Sequence, residues 1–236
     1  SVKLLQSPAT NVFRNPVVMR VLHQLRNTLN DLIRQGIIDE SDTSVVVETA
    51  REMNDANWRA AINKYQRDRE KDNAKYRQEL LQYMPESKIT STDIDKVRLW
   101  EEQGKKCLYT GKVISLAQLL NNEFEIEHTI PRSISFDDSL ANKTICDAAY
   151  NGYKNNRFPS DLPEYEAILL NLKPWMDKIK GLEKQITTQR NNSKSAATKE
   201  AKDRAIVNRH ALEMELAYWR DKVSRFTTKK DEWKES

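Results

Sequence analysis

The chain has 236 residues, with 39 basic and 35 acidic side chains and a formal net charge of +4. That near-balance permits a polyanionic partner without demanding one, and the length suffices for one large domain or two small ones. Five Gly and seven Pro are few for this length, and no stretch approaches the ~20 apolar residues of a membrane span. Composition therefore predicts a mostly helical, soluble, cytosolic protein and argues against a membrane one. Cys107 and Cys146 are isolated, which excludes a disulfide scaffold and a four-thiolate zinc site, and reduced thiols fit best. There is no basic-then-apolar leader, the chain opens without Met and it stops in a polar run at 229–233, so a piece of something longer is expected.

In chain order, the first predicted element is a helix from about Asn15, with Asn15 as cap, Pro16 at the first position and Gly36 as its end. Val18, Val21, Leu22, Leu25, Leu29, Leu32 and Ile33 hold one face of it at helical spacing. The β-branched run at 44–48 reads as a buried strand ending on Glu48. Residues 54 to about 83 read as a long, mostly exposed helix, and a second helix runs from Ser91 to Gly104. Between 107 and 158 short apolar runs alternate with turn residues, which marks a compact α+β segment inside a helical chain. Helices return after Pro163. Residues 187–198 are polar and rich in Ser and Asn, which predicts a linker or frayed turn, and residues 201–226 form a last helix.

The chemistry concentrates at Glu127-His128, which leave an apolar strand and are followed by Pro131. A histidine ordinarily titrates near working pH, so His128 can take a proton from an attacking water. Glu127 offers a hard oxygen to Mg²⁺, a cation that would stabilise charge developing on a phosphate. In an extended segment Glu127 and His128 face opposite sides, so both reach one phosphate only where the strand bends, as Pro131 allows. A second oxygen ligand and a cation are expected from 137–143 or 150–157. On these residues alone a Glu-His pair is more often a surface strand end than a catalytic site, by roughly five to one. His23 and His210 sit in helices and carry no functional expectation.

The run Cys107-Leu108-Tyr109-Thr110-Gly111-Lys112, Glu127-His128-x-x-Pro131-Arg132-Ser133, Phe136-Asp137-Asp138-Ser139, Asn142-Lys143 and Asn151 resembles a known pattern. It is similar to the HNH nuclease domain of the type II CRISPR-associated RNA-guided DNA endonucleases (Cas-nine), particularly their smaller type II-C form. Asn15-Pro16-Val17-Val18 and residues 45–52 resemble the second RuvC segment that precedes this domain in the family.

The resemblance implies an α+β architecture, a small ββα-metal core flanked by long, mainly helical linkers. It implies a second RuvC segment at 1–52, a helical linker at 53–88, the HNH domain at 89–185 and a helical return linker at 186–236. It makes His128 the general base, Glu127 and Asn151 the Mg²⁺ ligands (Mn²⁺ substituting), Asn142 the brace of the loop behind the base, and Lys154 a contact near the scissile phosphate. Glu48 would be one carboxylate of a separate, here incomplete, RuvC site.

Three departures stand out: Glu127 where the family usually has Asp, the less polar run 146–149, and Asn155-Asn156 in place of a glycine after Lys154. The implied activity is hydrolysis of the target DNA strand paired to a guide RNA, in the bacterial cytoplasm, with the guide bound through the full-length parent. An anti-CRISPR inhibitor protein is a further partner of that family. The competing readings are a stand-alone HNH homing or restriction endonuclease and a catalytically silent docking module.

Overall fold

The structure, a computed structural model, describes residues 4–7, 16–38 and 55–231. It divides into two units, residues 1–53 and 54–236. In the first, α1 (Pro16–Arg34) carries a nearly buried Asn30. The Asn30 amide accepts from the Leu5 N–H at 2.8 Å and donates to the Leu5 carbonyl at 3.2 Å, tying residues 4–7 to the helix. Gly36, at φ +67°, supplies the left-handed turn that ends α1. The expected strand at 44–48, with Glu48, and the cap Asn15 lie outside the described residues.

The second unit begins with α2 (Ala56–Leu80), capped by Asp55. Only Ala61 and Leu80 of α2 are buried, in keeping with an exposed charged helix. A capping box of Thr90 and Asp93 opens α3 (Ser91–Glu102), which buries Ile94, Val97, Leu99 and Trp100. Gly104 and Lys105, both with φ near +60°, turn the chain into an isolated bridge between Lys106 and Val113. There follow α4 (Leu116–Leu120), β1 (Phe124–His128), α5 (Arg132–Ser135), β2 (Lys143–Asp147) and α6 (Ala148–Lys154). The chain closes with α7 (Tyr165–Asn171), α8 (Lys173–Ser195) and α9 (Lys199–Thr227).

β1 and β2 form a two-stranded antiparallel sheet with Glu125 opposite Cys146, Glu127 opposite Thr144 and His128 opposite Lys143. A lone hairpin is marginal in water, and here it is stabilised from outside. The Gln103 amide, at the end of α3, accepts from the Ile145 N–H and donates to the Ile145 carbonyl at 2.9 Å, standing in for a third strand. Ile145 and Cys146 are fully buried, and both cysteines are free thiols. Behind the hairpin lies an aromatic cluster in which Trp175 meets Trp219 at 5.6 Å and Phe226 at 5.9 Å, edge to face. The architecture is α+β, a small ββα unit set among long helices.

The polar stretch 187–198 is not a linker: α8 continues to Ser195, and only residues 196–198 separate it from α9. The Thr187, Thr188, Ser193 and Ser195 hydroxyls return to carbonyls three or four residues back, so their polarity is absorbed within the helix. Ile186 anchors that stretch in the core. The boundary expected at 185/186 therefore falls inside an unbroken helix.

Candidate active site

Strand periodicity puts Glu125 and Glu127 on one face of β1, and α6 lies across that face. Asn151 and Lys154, one helical turn apart, meet the two carboxylates in order. The Asn151 amide donates to Glu125 Oε1 at 2.7 Å, and Lys154 Nζ lies 2.6 Å from Glu127 Oε1. The match follows from geometry, since helix residues three apart are spaced roughly 5–6 Å and strand residues two apart about 6.6 Å. Asp147 caps α6 by accepting from the Tyr150 N–H, and Lys112 holds Asp147 at 2.6 Å, which lowers its pKa. The last strand residue thus starts the helix that reads the other strand.

Glu127 is 1% exposed, as is Lys154. Its Oε2 accepts from Tyr109 Oη and Thr144 Oγ1, each at 2.8 Å. Burial, then the Glu127 charge, push the Tyr109 phenol well above its usual range, so it remains a donor. The ammonium of Lys154 also donates to the His128 carbonyl at 3.1 Å. Lys154 therefore lies beneath the site rather than out toward a substrate phosphate. Arg132, exposed on α5, lines the cleft instead.

His128 sits at the end of β1 and turns the other way, with Nε2 2.8 Å from Asp138 Oδ1. The hydrogen bond from His128, then Lys143 at 3.0 Å, hold the Asp138 carboxyl down at about 2. An ionised carboxylate only accepts, so the proton of this bond belongs to Nε2 and the lone pair of the neutral ring to Nδ1. Asn142, fully buried, accepts from the Ile130 N–H and donates to the carbonyls of Ile130 and Asp137, at 2.9, 2.9 and 3.0 Å. It fastens both ends of the loop that carries Asp138.

Glu125, Glu127, His128, Arg132, Asn151 and Lys154 all line one open cleft of about 400 Å³. Among the described residues no group of three or more His, Cys, Asp or Glu side chains could cage a metal. The donors that face the cleft, the Glu125 carboxylate and the Asn151 amide, are hard oxygens. They fit Mg²⁺, which commonly takes one or two carboxylates and completes its shell with water and phosphate oxygens. Glu127 fits less directly, because Lys154 already neutralises it.

No role for Glu125 or Tyr109 was read from the sequence, and Asp138 stood only within the 137–143 segment expected to supply an oxygen ligand. Glu125 was legible as the second carboxylate on the face of Glu127, by the period of two. Tyr109 and Asp138 join the site only through tertiary contacts.

The profile of the HNH endonuclease family matches residues 107–160, the segment that holds this cleft. Over 161 residues the chain is 37% identical to the CRISPR-associated endonuclease Cas9 1 of Streptococcus thermophilus, covering 64% of this chain and 14% of that protein. Over 67 residues it is 46% identical to the CRISPR-associated endonuclease Cas9 of Staphylococcus aureus, covering 28% of this chain and 6% of that one. A crystal structure of Streptococcus thermophilus Cas9 aligns at 32% identity and a TM-score of 0.47, over 70% of this chain and 17% of that one. The chain thus spans well under a fifth of the length of these relatives. Within it lies an HNH nuclease domain homologous to those of the Cas9-family CRISPR endonucleases.

Proposed function

We propose that the chain is the HNH portion of a type II CRISPR endonuclease, of the smaller II-C form, and that it hydrolyses phosphodiester bonds of the DNA strand paired to a guide RNA. The observation that carries this reading is His128, held by Asp138, in one open cleft with the Glu125–Asn151 pair. His128 Nδ1 takes the proton of the attacking water, while Asp138 fixes the ring by accepting from Nε2. Asn142 keeps the Asp138 loop in register, and Arg132 offers its guanidinium to a phosphate at the cleft mouth. Lys154 holds the His128 carbonyl and Glu127 from below, so its part is in placing the strand end.

A bound Mg²⁺ supplies charge stabilisation for the phosphate and the leaving oxygen. Asn151 would hold it together with the β1 carboxylates, Glu125 already facing the cleft and Glu127 paired to Lys154. The guide and the target strand reach this site through the full-length parent, in which pairing to the guide selects the sequence. Glu48 keeps its proposed place in a separate RuvC site.

The test offers the chain a labelled DNA strand paired to RNA, with Mg²⁺ or Mn²⁺ and then with EDTA. Metal-dependent scission of the DNA strand is expected, and scission that continues in EDTA would overturn the reading.

A further inference from the structure

Three residues at the end of α9 touch the candidate site from behind. Lys222, Arg225 and Phe226 follow an i, i+3, i+4 spacing and so share one face of the helix. The Arg225 guanidinium bridges Asp221 on its own helix, at 3.0 Å, and Asp137 on the loop, at 3.1 Å. Asp137 in turn accepts from the Ser139 N–H at 2.8 Å, closing a tight turn around Asp138. Lys222, fully buried, donates to the Leu140 carbonyl at 3.2 Å and is anchored by Glu102 at 2.7 Å. Asp138, the partner of His128, lies between these two grips. Phe226, also fully buried, packs its ring 5.6 Å from that of Tyr109, whose hydroxyl donates to Glu127. One helix face thus reaches both halves of the site.

We propose that the last two turns of α9 position the catalytic pair, with Lys222 and Arg225 gripping the 137–140 loop at its ends so that Asp138 holds the His128 ring in place. This rests on the assignment of His128 as the base. None of the three side chains is offered to the substrate; each acts through the loop or through Tyr109. A buried, neutralised lysine and a two-carboxylate arginine are more than a helix needs to stay packed, because the aromatic cluster already fixes α9 on the core. A carboxylate freed by a shift of even an ångström no longer orients the ring, and misplacement of that size can cost on the order of a hundredfold in rate.

The test compares Arg225→Ala and Arg225→Lys with Arg220→Ala, an exposed position on the same helix whose partner is Glu183. Amide exchange across 137–142 and steady-state cleavage of the DNA strand are measured on the full chain. Arg225→Ala should speed exchange in that loop by about tenfold and lower kcat by about tenfold with KM within about twofold. Arg225→Lys, which keeps one contact to Asp137, should recover most of both, and Arg220→Ala should change neither. Unchanged loop exchange in Arg225→Ala overturns the grip, and so does fast exchange with undiminished cleavage. A parent chain that cleaves nothing overturns the nuclease reading, and the exchange result alone then decides whether α9 holds the loop.

Discussion

Two short contacts stand at the end of β1, one an ion pair and one a histidine–carboxylate hydrogen bond, and they differ in everything except length. Glu127–Lys154 spans 2.6 Å with both side chains 1% exposed, while His128–Asp138 spans 2.8 Å with 24% and 54% of the side chains exposed. Burial removes water from the first pair, so each member depends on the other, Glu127 also on the bonds from Tyr109 and Thr144 and Lys154 on the His128 carbonyl. Water and Lys143 share the second, which leaves it cheap to break and open to a substrate. The contrast separates architecture from chemistry within two neighbouring residues. A carboxylate sealed against an ammonium shapes the strand end; a histidine held by an exposed carboxylate can trade protons.

Removing one member of the buried pair should have the largest effect. Lys154→Met leaves the Glu127 charge uncompensated and should cost about 3–5 kcal/mol of folding stability, read by denaturant unfolding. Adding Glu127→Leu should return much of it, because an apolar pair of similar volume removes the stranded charge. A single variant as stable as the parent would show that the pair is not sealed in solution.

Asn142→Ala comes next. It strands the Ile130 N–H, leaves the Ile130 carbonyl only the 3.5 Å bond from Ser135 and frees the Asp137 carbonyl, and about 1–3 kcal/mol should be lost. Calorimetry would show this, with cleavage weakening in parallel as the Asp138 loop slackens.

Glu125→Gln sharpens the metal question, since Gln keeps the bond to Asn151 but not the charge. Mn²⁺ affinity, followed by electron paramagnetic resonance, should fall by about tenfold, a change of about 1.4 kcal/mol. Affinity unchanged in Glu125→Gln but lost in Glu127→Gln would hand the ion to Glu127.

The smallest effect is a pH limb. The Asp138 carboxyl lies below its usual 3.8, at about 2, through the His128 hydrogen bond and then Lys143. Its contribution is therefore present above the ordinary carboxylate value and lost as pH falls through about 2. Asp138 stays ionised from pH 5 to pH 8, so any change in cleavage rate there has another source. A carbon-13 titration of this carboxyl should show its midpoint near 2, and a midpoint at the usual value would mean the pair is open in solution.

Much of the fold was legible in the sequence, the two pairs were not, and the reasons are physical. The helical spacing of α1 and α9, the start of α3 near Ser91 and the apolar run of β1 are local signals, and each element forms where they stand. The 187–198 segment misled because hydroxyl and amide side chains resemble a linker in composition, yet bond back to their own helix. At the site, Glu127, His128, Asn142 and Asn151 were nominated by motif, and the structure gathers them around one hairpin. That Lys154 points inward depends on Glu127 being buried, a tertiary fact with no local signal. The grip of Arg225 on Asp137 joins residues 88 positions apart, beyond the reach of any periodicity.

The most direct test of the account is metal-dependent nicking of plasmid DNA at low salt by the chain and by His128→Ala. General-base catalysis is worth ~10²–10⁴-fold, so the variant should lose nearly all nicking while unfolding at the parent's temperature, because its pair is exposed. Equal nicking by both would contradict the account and take the chemistry away from His128.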